Sequence, residues 1–186
     1  MITFLNLQFD EAIKSLLSSI PSSILVLLGP SKKQQWKLTL LERWMGVFGE
    51  SITNKRIVWL GSLSAEEYLS LLILGDVMLD PYPFGGGVTM LESLAVATPI
   101  ITLPARQTVP ALADGMLRKM AQVEPELQYL AVSSLSNLVD ISAQLLANPI
   151  KFRALISRSI HLVFNDKTVF HSWEKFFAIS LKQLFQ

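Results

Sequence analysis

The chain has 186 residues, close to the roughly 150 residues of a single domain. It is 51% hydrophobic and 17% charged, with a mean hydropathy of +0.42, which excludes an intrinsically disordered chain and predicts a face that another domain or chain covers. Its 16 Lys and Arg against 15 Asp and Glu leave a net charge of +1 with no basic block, so a nucleic-acid-binding protein is not expected.

The absence of cysteine excludes disulfides, thiolate metal sites and cysteine nucleophiles. It leaves the cellular compartment open and favours the cytoplasm. Unbroken apolar runs fall far short of the roughly 18 residues that a bilayer requires, so no membrane span is expected. The segment Met1–Leu5 lacks the basic region and cleavage site of a signal peptide and predicts a strand instead.

Helical and strand-like patterns alternate along the first part of the chain. They predict helices at 10–19, 34–48, 64–74 and 88–97, and strands at 23–28, 56–60, 76–79 and 99–103. Ser64 and Glu67 have the spacing of a capping box at the start of the third helix. The strands are apolar throughout rather than alternating, which is typical of strands buried on both faces. The pattern predicts an α/β fold with a doubly wound, Rossmann-like parallel sheet.

The remainder of the chain, after Thr108, is predicted to be mainly helical. Helices are expected at 134–147, 149–159 and 168–184, and a short strand near 128–132. The apolar stripe of the last helix favours a packed C-terminal helix over a membrane anchor, because basic residues are few. No linker or internal repeat divides the chain, so residues 1–186 are expected to form one domain.

The most informative candidate site is the segment 80–89, at the carboxyl end of the third predicted strand. Ligands of open parallel sheets bind at these strand ends. Gly85, Gly86 and Gly87 precede a helix start, where close backbone approach and free N–H groups favour phosphate. Thr89 would add a hydroxyl, and Glu92 would accept hydrogen bonds from sugar hydroxyls. The alternative is an ordinary turn, with Glu92 merely favourable near a helix N-terminus.

Other charged and titratable residues give weaker signals. Lys32, Lys33 and Arg106 lie near strand ends and could neutralise a diphosphate, or could be solvated surface charges. His161 and His171 lack the spacing of a metal site, so no metal is expected. The nucleophile-elbow, Walker and dinucleotide fingerprints are absent, which weakens the hydrolase, nucleoside-triphosphatase and dehydrogenase hypotheses.

The run from Leu60 to Pro104 resembles the protein O-linked N-acetylglucosamine transferases and their SPINDLY-like relatives. The similarity lies in SAEEY at 64–68, DVMLDPYPFGGG at 76–87, LESL at 91–94 and TPIITLP at 98–104. The resemblance implies the C-terminal half of a GT-B glycosyltransferase, in which two Rossmann-like lobes hold a UDP-sugar between them.

The resemblance also implies roles for individual residues. Gly87, Val88 and Thr89 match the diphosphate-binding helix start of the family, Glu92 matches its ribose-binding acid, and Tyr68 matches a position packed against the uracil.

Two departures from the family pattern concern the diphosphate. Val88 stands where the family usually has Asn or Thr, and a lysine expected in the first strand falls near Phe4. The N-terminal lobe and the TPR repeats of the family are missing, so the chain is expected to be an N-terminally truncated lobe.

The family activity is transfer of N-acetylglucosamine, or fucose in SPINDLY-like members, to Ser or Thr hydroxyls of a protein acceptor, with inversion. The implied donor is UDP-N-acetylglucosamine or a similar nucleotide sugar, with no separate cofactor and no assigned catalytic residue. The isolated lobe is expected to be inactive, because nothing in it positions the acceptor. Alternatives are a non-catalytic, degenerate GT-B binding module, or another GT-B glycosyltransferase or nucleotide-sugar epimerase.

Overall fold

The computed structural model describes residues 7–29, 34–103 and 108–184, and it is mostly helical. The helices of these ranges are α1 (Leu7–Ser19), α2 (Gln34–Phe48), α3 (Glu50–Arg56), α4 (Ala65–Leu74), α5 (Val88–Ala95), α6 (Thr108–Met120), α7 (Leu135–Ala147), α8 (Pro149–Ser159), α9 (His161–Phe164) and α10 (Thr168–Leu184). A 3₁₀ helix covers Pro125–Leu130. The strand expected at Met1–Leu5 lies outside the described residues.

The strands form two small parallel sheets. They are β1 (Leu25–Leu28), β2 (Ile57–Leu60), β3 (Met78–Leu79) and β4 (Ile100–Ile101). β1 pairs with β2 from Leu25 opposite Ile57, and β3 pairs with β4 from Met78 opposite Ile100. A parallel bridge between Thr102 and Ala131 extends the second sheet. The predicted parallel pairing is therefore present, but the described strands pair two by two rather than in one continuous sheet.

Burial differs between the two sheets. Ile100 and Ile101 of β4 are fully buried, as expected for a strand covered on both faces. In the first sheet, Leu28 and Val58 are each 37% exposed. The expectation that every strand is buried on both faces is therefore wrong for β1 and β2, and the residues of β3 are also only partly buried.

The strand expected near 128–132 is largely a 3₁₀ helix. Pro125 occupies its first turn, where a missing N–H costs nothing. Leu127 and Leu130 are both fully buried and stand three residues apart, which matches the three-residue turn of a 3₁₀ helix. Only Ala131 makes a strand-like bridge. The other predicted helices begin and end within a few residues of those observed. α3 was not predicted, and α6 and α9 lie in the part of the chain expected only to be mainly helical.

The core joins α1 and α7 to the second sheet. α1 packs against α7 and α2, and α7 and α5 pack against β4. Phe9, Ile13 and Leu17 recur every four residues and turn one face of α1 inward. The fully buried side chains at the centre of the core include Trp44, Met90, Leu94, Leu117, Leu138 and Leu145. This core fixes α5, and with it the loop that precedes α5.

A buried ion pair ties α1 to α2. The Asp10 carboxylate is inaccessible to solvent and accepts a hydrogen bond of 2.8 Å from the indole nitrogen of Trp44. Arg43 Nε lies 2.8 Å from the same carboxylate. Truncating one partner of such a pair leaves an uncompensated buried charge, so the three side chains fix the packing of these helices.

The C-terminal helix α10 does not pack as expected. Apart from Ser180, every described side chain of α10 is exposed. The prediction of a packed C-terminal helix is therefore wrong, although its apolar stripe is present. Within the described ranges, no helix combines the length and the apolar character that crossing a membrane requires.

Candidate functional site

The start of α4 is fixed by the predicted capping box. Ser64 Oγ accepts from the Glu67 amide at 3.2 Å, and Glu67 Oε2 accepts from the Ser64 amide at 2.7 Å. The serine hydrogen bonds lower the pKa of the Glu67 carboxyl. Tyr68 follows directly and is half-buried, so the cap determines where this side chain leaves the helix.

The other end of α4 is held by Arg153 of α8. Its guanidinium donates to Ile73 O at 2.9 Å and to Gly75 O at 2.5 Å, where the helix leaves carbonyls without intrahelical partners. It also donates to Thr98 Oγ1 at 3.2 Å, and Thr98 in turn donates to Leu72 O at 2.6 Å. Arg153 therefore connects α8, α4 and the turn that follows α5.

The glycine loop, residues 80–87, connects β3 to α5 and is organised by Asp80. This side chain is 3% exposed. Its carboxylate accepts from the Gly86 amide at 2.6 Å and from Thr102 Oγ1 at 2.7 Å. Burial raises the pKa of the Asp80 carboxyl, against the opposing effect of the Thr102 and Gly86 hydrogen bonds. Asp80 thus anchors the loop to the residue that follows β4.

Glycine is favoured at all three positions of the loop. Gly85 and Gly87 have φ of 82° and 56°, in the region that side chains disfavour, and Gly87 is the N-cap residue of α5. A Cβ on Gly86 would lie 2.4 Å from Met90 Cε and 2.6 Å from Thr89 Oγ1. The sequence of three glycines therefore reflects backbone conformation and close packing, and not merely a flexible turn.

Two backbone amides at the start of α5 have no hydrogen-bond acceptor among the described residues. The amides of Thr89 and Met90 donate to Gly86 O and Gly87 O, whereas those of Gly87 and Val88 donate to no other described residue. The side chain of Val88 is 68% exposed and contributes no polar group. An anion at this helix start would therefore meet backbone N–H groups and the positive end of the helix dipole.

Thr89 is used differently from the sequence-based expectation. Its hydroxyl donates to Gly86 O at 2.8 Å, so it stabilises the loop rather than facing an open site. The Tyr68 phenol lies close to Thr89 and Glu92. Burial raises the pKa of that phenol, the negative charge of Glu92 raises it further, and the neighbouring Thr89 hydroxyl lowers it. Tyr68, Thr89 and Glu92 therefore meet where α4 faces α5.

A cavity of about 240 Å³ opens at the carboxyl ends of β1 and β2, and Tyr68 forms part of its wall. We refer to it as the strand-end cavity. It is lined by Leu28, Gly29, Gly61, Ser62, Leu63 and Tyr68. Because Tyr68 also lies close to Thr89, the cavity and the start of α5 adjoin the same side chain. The cavity lies at strand ends of the kind at which open parallel sheets bind ligands.

The three candidate cations, Lys32, Lys33 and Arg106, lie outside the described residues. In the ranges that are described, no three acidic or histidine side chains converge to hold a metal ion. The candidate site is thus formed by Tyr68, the glycine loop and Glu92, with backbone groups supplying most of its polar character.

Sequence reasoning missed two residues that organise this site. Asp80 directly follows a strand and precedes the glycines, a position from which an acid can bind loop amides, so its signal was available. Arg153 gave no signal, because its partners Ile73, Gly75 and Thr98 lie far from it in sequence. Only the three-dimensional structure, in which the Arg153 side chain of α8 reaches the end of α4, reveals its contacts.

Comparison with known proteins identifies a shared fold. No protein-family model matches the chain, and no curated protein matches it. A solved structure of an O-GlcNAc transferase from Thermobaculum terrenum, a point mutant, matches 86% of this chain with a TM-score of 0.72 and 21% sequence identity. The chain has a GT-B glycosyltransferase-like fold. It spans only 30% of that longer chain, and at this identity the likeness is one of fold.

Proposed function

We propose that residues 1–186 form one lobe, of the doubly wound GT-B type, that binds the nucleotide sugar of a protein O-glycosyltransferase. The diphosphate would lie at the Gly87 and Val88 amides, the ribose at Glu92, and the uracil in the strand-end cavity beside Tyr68. The observation that carries the proposal is that Tyr68 of α4, which lines a cavity of about 240 Å³, lies where α4 packs against α5, close to Thr89 and Glu92. The cavity therefore adjoins a helix start suited to phosphate.

The chemistry of the glycine loop supports a phosphate ligand of modest affinity. Asp80 and Gly86 hold the loop in place, so its amides need little reorganisation when an anion binds. With Val88 apolar and the Thr89 hydroxyl donated to Gly86 O, the described side chains place no cation at the helix start. We propose that Lys32, Lys33 or Arg106 supplies the neutralising charge, and that UDP-N-acetylglucosamine or a related UDP-sugar is the donor.

Calorimetric titration tests nucleotide binding. We expect UDP to bind more tightly than UMP or ADP. A charged hydrogen bond from the ribose is worth about 1.5–3 kcal/mol, so Glu92→Ala should weaken UDP binding by roughly 10- to 150-fold. Glu66→Ala removes the same charge from the exposed first turn of α4 and serves as the control. No binding of UDP at millimolar concentration, or equal affinity in the Glu92 variant, would contradict the proposal.

Sugar transfer requires a second, N-terminal lobe in the proposed enzyme. Positioning of the acceptor supplies up to roughly 7–11 kcal/mol of barrier reduction, and the described residues offer no acceptor site of this kind. We expect no transfer of radiolabelled N-acetylglucosamine to a protein acceptor by this chain alone, and transfer once an upstream GT-B lobe is fused to it. Enzyme-dependent labelling by the chain alone would contradict this division of roles.

The exposed Val88 favours a second candidate, a degenerate GT-B module that no longer binds nucleotide. Val88→Thr separates the two functions. A nucleotide-binding lobe should bind UDP several-fold more tightly with the added hydroxyl, whereas a degenerate module should bind UDP in neither form.

A further inference from the structure

A second cavity, of about 440 Å³, lies at the outer edge of the second sheet. It opens between the last turn of α6, the 3₁₀ helix and the first turns of α7. Its lining includes Ala131, whose bridge to Thr102 extends the sheet on the side of β4 opposite β3. We refer to it as the edge cavity. Its polar lining residues are Arg118, Gln128, Tyr129, Ser133 and Asn137.

Ala131 presents a backbone carbonyl to the edge cavity. Leu130 O accepts from Thr102 N at 3.0 Å, and Val132 N donates to Thr102 O at 2.9 Å, so both groups turn toward β4. The N–H and C=O of Ala131, the residue between them, therefore turn away from β4. Ala131 N donates to Gln128 O at 3.1 Å, whereas no backbone amide of the described residues donates to Ala131 O. The edge cavity thus holds a backbone acceptor suited to the N–H of an added strand.

Of the described residues that line the edge cavity, Arg118 alone is charged. Its Nε donates to both oxygens of Asp114, at 2.8 and 2.9 Å. A guanidinium has five N–H donors in a planar fork, so its two terminal amino groups are left for a second carboxylate. The acids beside the 3₁₀ helix, Glu124 and Glu126, pair with bases of α8 and do not compete for Arg118. The charge of the cavity therefore favours a ligand that carries a carboxylate.

The remaining wall of the edge cavity combines apolar surface with amide groups. Tyr129 is 68% exposed, and Pro125 and Ile141 line the cavity with it. Asn137 Oδ1 accepts from the Ser133 amide at 3.4 Å, which leaves the Asn137 NH₂ group to donate to a carbonyl. An exposed tyrosine beside polar groups is typical of residues that dominate binding to proteins. A complementary ligand has an apolar side chain, backbone N–H and C=O groups, and a carboxylate.

We propose that the edge cavity binds an extended peptide segment of a partner protein that carries a carboxylate. The peptide adds along Ala131 at the edge of the sheet, its carboxylate pairs with the terminal amino groups of Arg118, and an apolar side chain packs on Tyr129. The carboxylate belongs either to an acidic side chain or to the C-terminus of the peptide. Because β4 separates Ala131 from the strand that leads into the glycine loop, the proposal is independent of nucleotide binding.

Fluorescence anisotropy with three labelled pentapeptides tests the ligand class. The first peptide is threonine–valine–glutamate–valine–threonine with both termini blocked. The second replaces the glutamate with glutamine, and the third is the second with a free C-terminal carboxylate. We expect the first or the third to bind about five- to tenfold more tightly than the second, which also identifies the source of the carboxylate. No binding at millimolar concentration, or equal affinity for all three, would overturn the proposal.

Substitution of Arg118 tests the proposed ion pair. Arg118→Gln should weaken binding of the preferred peptide about five- to tenfold and leave the blocked glutamine peptide unaffected, whereas Arg118→Lys should retain part of the affinity. Arg158→Gln removes an arginine of similar exposure from α8 and is the control. An equal loss in the Arg158 variant, or no loss in Arg118→Gln, would overturn the proposal.

NMR spectroscopy of the labelled full chain locates the peptide. The preferred peptide should shift the amide resonances of Ala131, Ser133 and Asn137 and leave that of Gly87 in place. Resonances outside the edge cavity that match those of the parent show that the Arg118 variants fold. Shifts confined to another part of the chain would overturn the site, and free glutamate that binds as tightly as the peptide would overturn the added strand.

Discussion

The glycine loop and the strand-end cavity are neighbours, but they are held in different ways. A buried carboxylate, Asp80, fixes the glycine loop through two short hydrogen bonds. The cavity lies between the ends of β1 and β2, where Leu28 is 37% exposed. The last backbone hydrogen bond between these strands runs from Gly29 N to Leu60 O and is 2.9 Å long. The region proposed to meet the phosphates is thus the rigid one, held by buried hydrogen bonds, and the region proposed to take the base is the open one.

Removing Asp80, which anchors the glycine loop, should have the largest effect on stability and on UDP binding. In Asp80→Ala, the Gly86 amide and the buried Thr102 hydroxyl lose their acceptor, at a cost of about 1–3 kcal/mol each. We expect a loss of about 2–5 kcal/mol in the free energy of unfolding by urea, together with loss of UDP binding. Asp76→Ala removes an exposed carboxylate next to the same strand and should change neither property. Equal effects of the two variants would show that Asp80 does not organise the loop.

Adding one methyl group to the loop should have the next largest effect. The Cβ of Gly86→Ala would lie 2.4 Å from Met90 Cε, so overpacking should cost about 1–3 kcal/mol and displace Thr89 from Tyr68. Gly115→Ala in α6 is the control, because its Cβ meets nothing within 4 Å and replaces a helical glycine. Thermal unfolding should show a lower Tm for the first variant and an equal or higher Tm for the second. The same Tm in the Gly86 variant and the parent would contradict the close packing.

Replacing Arg153 tests whether the strand-end cavity depends on the position of α4. In Arg153→Ala, the carbonyls of Ile73 and Gly75 lose a charged donor, which should cost about 1.5–3 kcal/mol and loosen the helix that carries Tyr68. We expect a lower Tm and weaker UDP binding. Arg118→Ala, which removes an arginine 62% exposed on α6, should leave both unchanged. Unchanged UDP affinity in a destabilised Arg153 variant would confine Arg153 to a structural role.

The smallest expected effect is a pH dependence. Burial raises the pKa of Asp80 in the folded chain above its ordinary value of 3.8. Between these two pKa values, Asp80 holds a proton in the folded chain that it has lost in the unfolded chain. Stability should therefore fall as pH rises from the ordinary aspartate range through the raised pKa. Asp80→Asn cannot ionise, so its Tm should lack this decline as the pH rises above the ordinary aspartate range. Parallel profiles of Tm against pH for the variant and the parent would contradict a raised pKa of Asp80 in the folded chain.

The sequence predicted the glycine loop better than it predicted the surroundings of the strand-end cavity. Three glycines before a helix, together with the capping box at Ser64, are local patterns, and the structure has both. The packing of Tyr68 against Thr89 joins α4 to α5, and the contacts of Arg153 join residues more than fifty positions apart. Such contacts depend on how helices pack, which periodicity does not encode.

The expected burial of β1, β2 and α10 was wrong for one and the same reason. The apolar runs of β1 and β2 resemble those of fully buried strands, yet their burial depends on how many strands flank them. The stripe on α10 predicts burial but does not specify what buries it. In both cases the sequence identifies an apolar surface, and only the tertiary structure shows how much of it remains exposed.

We propose that the strand-end cavity and the glycine loop form one nucleotide site joined by Tyr68. A crystal structure of the chain with UDP is the decisive experiment. We expect the uracil in the cavity beside Tyr68, the ribose hydroxyls on Glu92, and the β-phosphate on the amides of Gly87 and Val88. A nucleotide bound elsewhere on the chain, or bound with its phosphates remote from these amides, would contradict it.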